Sequence, residues 1–246
     1  MKSVIRHLLV VSGLTLSAGA ALAQEPSDPP VNDTTSFDHP IPAVSRALEI
    51  AIGGGYLQGT GDIAGVGPRV QDLSGPGGTV ELQLGYRATP NLAFGGYGTY
   101  SQFNSGDNLA AGTTVRGATA GAYADWHFRP TSSIDPWVGL STGWRGLWLV
   151  PDSGKNTSLQ GWEIARVQVG LDYKVSPEIA IGPVIGASVS TFFTQDSPAT
   201  GGYTNIHDPQ ANWLFFAGLQ ARFDVFGQKE LPGQAVQASV ASASNP

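Results

Sequence analysis

Apolar and polar residues alternate in recurring stretches along the middle of the chain. The clearest stretches cover residues 80–87, 165–174 and 215–224, and in the first of them Leu82 and Gln83 occupy opposite faces. Successive side chains of a β-strand point to opposite sides, so a period of two predicts strands that are apolar on one face and polar on the other. Clusters of Gly, Pro, Asn, Asp and Ser separate these stretches and predict turns or loops between them.

Eight strands are predicted on this basis. They cover residues 47–59, 79–87, 92–103, 114–128, 137–149, 162–175, 179–195 and 212–226. Most exceed the usual length of about 5–6 residues in globular proteins and reach the roughly 9–11 residues that cross a membrane at a tilt.

The connections between these strands alternate in length. Four are long (60–78, 104–113, 150–161 and 196–211) and three are shorter (88–91, 129–136 and 176–178). Long loops at one end and short turns at the other are typical of a membrane barrel. We therefore expect an all-β fold, an eight-stranded antiparallel up-and-down transmembrane β-barrel.

Alternation alone does not say which face points outward, because a soluble ligand-binding barrel alternates equally well with its apolar face inward. The polar face is rich in small residues such as Gly85, Gly121 and Gly143, which suit the narrow lumen of eight strands. The apolar face carries large side chains that would overfill that lumen. We therefore expect the polar face inside and the apolar face against lipid.

The aromatic residues of the apolar face sort by their position along the strands. Those near the short turns are Tyr86, Trp126, Phe128, Tyr173 and Phe223, and those near the long loops are Tyr56, Tyr100, Trp144, Trp148, Phe193 and Trp213. Two such belts are expected at the two interfaces of a membrane.

A few residues break the alternating pattern. Trp137 and Trp162 fall on the inward face, and Arg116 falls on the outward face. Pro183 predicts a bulge or local distortion in the seventh strand.

Composition narrows the classes of function. Charged residues make up 13% of the 246 residues, about half the roughly 25% usual for soluble domains. The net charge of −6 argues against a nucleic-acid partner. The absence of cysteine excludes disulfides and cysteine-ligated metal sites.

The two ends of the chain differ from its middle. Lys2 and Arg6 precede an apolar stretch that ends at Ala21-Leu22-Ala23, the pattern of a cleaved signal peptide over residues 1–23. Residues 24–46 are rich in Pro and Asp and are predicted to form a flexible periplasmic leader, and residues 227–246 a disordered tail. The barrel is predicted to span residues 47–226.

Charged residues of the inward face predict a network in the lumen. Its members are Glu49, Glu81, Arg87, Asp125, Arg145, Arg166, Asp172, Lys174, Arg222 and Asp224. Unpaired charges in a narrow lumen lose several kcal/mol of hydration, so we expect them to pair. We predict a cluster of Glu81, Arg145 and Arg166, and a pair of Glu49 with Arg222 where the last strand meets the first. The simpler interpretation is that these pairs fill the barrel, and the alternative is a gated polar pore.

Catalytic and metal-binding patterns are weak. His127 and Asp125 share the inward face, but no Ser is placed by the sequence to join them, and a solvated histidine at the barrel rim is the favoured interpretation. His207-Asp208 is one adjacent pair in a polar loop. We expect no enzymatic activity, no cofactor and no metal site.

The last strand reads Phe215-Phe216-Ala217-Gly218-Leu219-Gln220-Ala221-Arg222-Phe223 and is similar to the closing-strand signal that the barrel-assembly machinery reads. With the strand pattern of residues 47–226, the chain resembles small eight-stranded outer-membrane β-barrel proteins, such as the transmembrane domain of outer membrane protein A. The resemblance implies residence among the lipids of a Gram-negative outer membrane, both termini in the periplasm, and four outward loops.

The expected role is structural or interactive, through the four long loops and an extracellular partner that the sequence does not identify. Two alternatives stay open at this point. One is a narrow channel for small or apolar solutes, and the other is a soluble exported ligand-binding barrel.

Overall fold

The computed structural model describes residues 40–110, 112–198 and 201–230. The predicted signal peptide, most of the predicted leader and most of the predicted tail lie outside the described residues. The elements are β1 (Ala43–Ser45), β2 (Ala47–Gly61), α1 (Val70–Leu73), β3 (Ser74–Arg87), β4 (Leu92–Ser105), β5 (Thr114–His127), β6 (Ile134–Val150), β7 (Thr157–Ser176), β8 (Ile179–Ser197), β9 (Gly202–Asn205), β10 (Ala211–Val225) and β11 (Gln228–Glu230). None of the described helices is long and apolar enough to span a membrane.

Eight long strands close into one barrel. Strands β2 to β8 pair consecutively and antiparallel, and β10 pairs with both β2 and β8. At the closure Gly218 lies opposite Gly55 on one side and Val184 on the other. The predicted eight-stranded antiparallel up-and-down barrel is therefore confirmed.

The apolar face of the strands forms the outer wall. Leu82 is 46% exposed and Leu219 is 61% exposed, whereas Gln83 is 1% exposed and Gln220 is 4% exposed. A soluble ligand-binding barrel has the opposite arrangement, with its apolar side chains inside. The predicted orientation is confirmed, and the outer wall is chemically suited to acyl chains.

Glycines allow the inner wall to curve tightly. Gly121 of β5 lies opposite Gly143 of β6, and a Cβ atom at Gly121 would collide with the carbonyl oxygen of Thr142. A small barrel bends its strands so strongly that inward Cβ atoms on adjacent strands converge. The small residues of the polar face avoid these collisions.

A bulge in β7 reverses the alternation expected from the sequence. Ser141 pairs with Arg166 and Gly143 with Glu163, so β7 contains one more residue than β6 over this stretch. An extra residue shifts every side chain beyond it to the opposite face. The prediction that Trp162 points inward is therefore wrong: its side chain is exposed and its Nε1 donates to Thr142 Oγ1 at 3.0 Å.

Pro183 marks a break in the pairing of β7 with β8. Gly170 pairs with Val184 and Tyr173 with Ile181, but the two positions between them in each strand form no pairs. Proline lacks the N–H that the ladder requires, which is the distortion predicted at this position. An open apolar groove lies in the wall beside it, lined by side chains that include Trp137.

The strand boundaries reach further than the sequence indicated. Strand β1 lies inside the predicted leader and pairs with β11, which lies inside the predicted tail. The leader and tail predictions are thus wrong for Ala43–Ser45 and Gln228–Glu230. Two of the predicted loops also contain short elements, α1 and β9, and β9 pairs with the end of β8.

Candidate functional site in the lumen and the outward loops

The barrel has two distinct ends. We call the end with the short connections the turn end and the end with the four long connections the loop end. Between them the inward side chains form three levels: a turn-end cluster and a middle cluster of charged residues, and an apolar layer near the loop end. The loops above that layer enclose a cavity, which we call the loop-end cavity.

Arg222 is the centre of the turn-end cluster. Its guanidinium lies 2.6 Å from Glu49, 3.2 Å from Asp125 and 3.1 Å from Asp172. The residue is 2% exposed, and the guanidinium also stands over the Trp137 ring at 5.0 Å from the ring centroid. One cation therefore holds carboxylates from three different strands. The sequence-predicted partners Glu49 and Arg222 lie together at the seam of the barrel.

Arg87 extends the turn-end cluster. Its Nη2 atom lies 2.6 Å from Glu49 Oε2 and its Nε atom lies 2.9 Å from Asp224 Oδ1. The Tyr123 hydroxyl donates to Glu49 Oε1 at 3.2 Å. Glu49 is fully buried, so these donors replace the water that its carboxylate loses inside the barrel.

His127 belongs to the turn-end cluster and not to the solvated rim. The residue is 1% exposed, and its Nδ1 atom lies 2.9 Å from Asp135 Oδ2. Lys174 Nζ lies 3.8 Å from the same carboxylate oxygen and also donates to the carbonyl oxygen of Pro130. The favoured interpretation of His127 as a solvated histidine at the rim is therefore wrong. Its carboxylate partner is Asp135, a residue that the sequence placed in the turn after β5.

The middle cluster joins two arginines and two glutamates. Arg166 lies 2.5 Å from Glu81 and 3.1 Å from Glu163, while Arg145 lies 3.8 Å from Glu163 and donates to Ser190 Oγ at 3.1 Å. The predicted group of Glu81, Arg145 and Arg166 is therefore brought to one level of the lumen. Glu163 connects the two arginines, so that the cluster contains two positive and two negative side chains.

Sequence reasoning missed Glu163. An unbroken alternation counted from Arg166 places position 163 on the lipid side, whereas the bulge turns it inward, where it is 0% exposed. Its Oε1 atom accepts a hydrogen bond from the Tyr97 hydroxyl at 2.6 Å. One signal could have found it: a glutamate facing lipid is costly, so an acidic residue on the apolar face of a strand argues for a bulge beside it.

The apolar layer lies above the middle cluster. Its buried side chains are Leu57, Ile63, Val70, Phe103, Val115, Leu147, Leu149, Leu159, Phe192 and Leu214. Arg145 stands 5.9 Å from the centroid of the Phe192 ring, so the layer rests directly on the charged cluster below it. Loop residues contribute to the layer alongside strand residues, since Ile63 and Val70 belong to the connection between β2 and β3.

The chain itself covers the turn end. The β1 residues are buried, and Val44 lines a cavity of about 10 Å³ together with Arg87, His127 and Arg222. A second cavity, of about 20 Å³, lies between the middle cluster and the apolar layer. Each has room for about one water molecule and no room for a hydrated ion.

The loop-end cavity is much larger, at about 570 Å³. All four long connections contribute to its wall, and its apolar lining includes Ile63, Leu73, Leu109, Leu159 and Ile206. The ionisable residues in the lining are Lys155 and His207. The four connections thus form the walls of the cavity, and the apolar layer forms its floor.

Most of the predicted interface aromatics are on the outer wall. Exposed examples near the turns are Tyr86 and Trp126, and near the loops Tyr100 and Trp213. Trp144 and Trp148 are half-buried because their rings pack together at 5.9 Å above Gly146, where a Cβ atom would meet both. Their placement at the two interfaces stays a prediction.

One ion pair lies outside the membrane-spanning strands at the turn end. Lys229 Nζ is 2.6 Å from Glu178 Oε1, and this hydrogen bond lowers the pKa of the Glu178 carboxyl. Both side chains are exposed, which makes the pair a solvated counterpart of the buried clusters.

No family model and no curated protein matches the chain. Solved structures do match, among them neisserial surface protein A (14% identity, TM-score 0.46, 72% of this chain and 96% of that chain). The outer membrane protein OprG from Pseudomonas aeruginosa matches at 14% identity and TM-score 0.46, over 73% of this chain and 97% of its own. The outer membrane protease OmpT from Escherichia coli matches at 10% identity and TM-score 0.33, over 78% of this chain and 99% of its own.

These matches do not indicate a function, because their identities and TM-scores are low. The fold is identified from the strand pairing and from the orientation of the side chains. The described chain is an eight-stranded β-barrel with the architecture of small outer-membrane proteins.

Proposed function

We propose that the protein is a non-conducting barrel of the Gram-negative outer membrane that presents its four long connections to the outside, where they interact with a partner. The observation that carries this proposal is the filling of the lumen. Two clusters of paired charges and an apolar layer occupy successive levels of the interior, and strand β1 covers the turn end.

Opening a path through the lumen would require breaking several buried ion pairs. Removing one partner of such a pair leaves an uncompensated buried charge, which costs about 3–5 kcal/mol. Arg222 alone has three carboxylate partners. Eight strands also enclose an interior just wide enough for side chains to fill. These features favour a filled barrel over the gated pore and the narrow solute channel.

The loop end supports an interactive role. Backbone hydrogen bonds tie the first and last long connections together: Gly65 N donates to Asp208 O at 2.9 Å, and Gln210 N donates to Ile63 O at 3.1 Å. Loops that are already held in place lose less conformational entropy on binding than free ones. A rigid barrel that holds preformed loops is well suited to recognition.

Electrical recording in planar lipid bilayers tests the closed lumen. Full-length protein, checked for folding by its faster migration on unboiled gels, is inserted beside a conducting porin as the positive control. We expect no steps in current above background from this chain. Reproducible single-channel steps would contradict the proposal and support the channel.

Labelling of intact cells tests the topology. The chain has no cysteine, so Val66→Cys and Asn156→Cys introduce unique thiols in two long connections, and Thr89→Cys introduces one in a short turn. A membrane-impermeant maleimide should label the first two in intact cells and the third only after lysis. Labelling of Thr89→Cys but not of the loop variants would invert the orientation and remove the proposed role.

A further inference from the structure

The loop-end cavity is built like a ligand site and not like a gap between mobile loops. The first and last long connections are tied by the hydrogen bonds from Gly65 and Gln210. The second connection is tied to α1, since Gly106 N donates to Leu73 O at 3.3 Å and Asn108 N to Asp72 O at 3.4 Å. These hydrogen bonds hold three of the four connections around the cavity.

The volume of the cavity fits a small molecule. At about 570 Å³ it falls inside the roughly 300–1,000 Å³ typical of small-molecule sites. Its floor is the apolar layer, with Leu149 and Leu159 belonging to both. Because the charged clusters lie below that floor, a molecule that enters the cavity is held there and has no path through the barrel.

The lining of the cavity has an apolar part and a polar part. Ile63, Leu73, Leu109 and Ile206 contribute aliphatic surface, whereas residues such as Gln195 contribute hydrogen-bonding groups. An apolar pocket with a few polar groups selects a ligand with an aliphatic body and one polar end.

The charges on the lining have one sign. Lys155 lines the cavity, and none of the ion pairs found among the described residues involves it. His207 is the other ionisable residue of the lining, and the lining contains no carboxylate. None of the carboxylates of the same loops lines the cavity; they are Asp62, Asp72, Asp107, Asp152, Asp196 and Asp208. Asp62 pairs with Arg69 at 3.2 Å, and Asp208 accepts from Gln210 at 3.1 Å. Lys155 is therefore available to an external anion.

We propose that the loop-end cavity binds a small aliphatic amphiphile that carries one carboxylate, with its chain on the apolar lining and its carboxylate at Lys155. This inference rests on the proposed function, because it names the ligand class that the outward loops receive. Lys155 supplies charge recognition and the aliphatic residues supply most of the binding surface.

Calorimetric titration of the full chain in lipid nanodiscs tests the proposal, with empty nanodiscs as the reference for partition into lipid. Three probes share a ten-carbon chain: decanoate, decanol and decyltrimethylammonium. We expect saturable binding of decanoate, roughly three- to tenfold weaker binding of decanol because it lacks the charge, and the weakest binding for the cation.

Variants separate the two halves of the site. Lys155→Gln should weaken decanoate by roughly three- to tenfold and leave decanol unchanged. Leu109→Ser, a change of a partly buried loop side chain, should weaken both probes by a similar factor, since both use the aliphatic lining. Lys229→Gln is the matched control because Lys229 lies at the turn end, and it should change neither.

The outcomes are distinct from those of the conductance and labelling experiments. Absence of saturable decanoate binding, or equal binding of all three probes, overturns the amphiphile site. An unchanged decanoate affinity in Lys155→Gln overturns the assignment of the carboxylate. Either result leaves a silent bilayer recording and labelled loops unaffected, so failure of this site and failure of the proposed function are told apart.

Discussion

The interior of this barrel is filled in two different ways at its two ends. At the turn end and in the middle, charged residues centred on Arg222 and Arg166 fill the lumen through buried ion pairs. Near the loop end, Phe103, Phe192 and Leu147 fill it as an apolar layer. All these residues are on the inward face of their strands and all are buried.

The surroundings outside the wall explain the difference. At the level of the bilayer an apolar side chain gains little by moving from lipid to the lumen, because both environments are apolar. Directional pairs between charged groups specify a unique interior there. The apolar layer lies beneath folded loops, and Ile63 and Val70 of the first loop pack into it. Where water surrounds the loops, apolar burial stabilises the structure as it does in a soluble protein.

The largest expected effect comes from breaking the turn-end cluster. Arg222→Met removes a cation that Glu49, Asp125 and Asp172 share, and should lower the free energy of unfolding by about 3–5 kcal/mol. Urea unfolding in lipid vesicles, followed by tryptophan fluorescence, measures the change. Arg116→Met is the control, since Arg116 is exposed on the outer wall and should matter far less. Equal effects for the two variants would refute the special role of the buried cation.

The next largest effect is expected in the apolar layer, where two residues adjacent in sequence can be compared. Phe192→Ala should cost about 3 kcal/mol, because it empties a space inside the layer. Phe193→Ala removes the same side chain from the outer wall, where lipid fills the gap, and should cost clearly less. The same unfolding assay compares the two. If the outward substitution were the more harmful one, the layer would not be a core.

A smaller effect is expected where β1 covers the turn end. Val44 is buried against the cluster, and Val44→Ala should cost about 1–2 kcal/mol by loss of buried apolar area. Val175→Ala, at an exposed position, is the matched control. If only Val44→Ala lowers the urea concentration at the unfolding midpoint, with the dependence of the free energy on urea unchanged, the strand stabilises the barrel. Identical midpoints for the two variants would show that it does not.

The smallest effect belongs to the exposed ion pair. The Lys229 hydrogen bond lowers the pKa of Glu178, so the pair contributes stability above the unfolded-state pKa of the carboxyl and loses it as the pH falls through the lower folded-state value. Because solvent screens the pair, Glu178→Gln should change the free energy of unfolding by well under about 1 kcal/mol at neutral pH.

A pH series tests the sign of the interaction between Lys229 and Glu178. Unfolding is measured from pH 7 to pH 3 for the wild-type chain and for Glu178→Gln. The difference between them should shrink as the pH falls through the folded-state pKa of the Glu178 carboxyl, because the interaction is lost when that carboxyl takes up a proton. A difference that grows on acidification would assign the opposite sign to the interaction.

Much of the wall followed from the sequence because β-strand alternation is a local property. The outward face of Leu82 and the inward face of Gln83 can be assigned without knowing which strands lie beside them. The same rule placed Glu49 and Arg222 on the inside, and up-and-down order then brought the first and last strands together. Phe103, Phe192 and Leu214 also occupy inward positions, but a local pattern does not show that they gather into one layer.

The errors arose where two strands determine the geometry together. The extra residue of β7 turns Trp162 outward and Glu163 inward, and it is visible only in the register against β6 and β8. Asp135 reaches His127 because β6 begins earlier than its apolar pattern indicates. Pairing of β1 with β11 joins segments separated by most of the chain.

The number of barrel strands, their order and, outside the bulge of β7, the side of each strand that faces lipid could be read from the residues alone, because they depend on a two-residue period and on turn residues that act locally. The closed barrel was needed to show which charges meet, where β7 bulges, how β1 covers the turn end and how four loops surround one cavity. Those features depend on contacts between residues distant in sequence, and their energies come from burial and pairing that exist only when the barrel is closed.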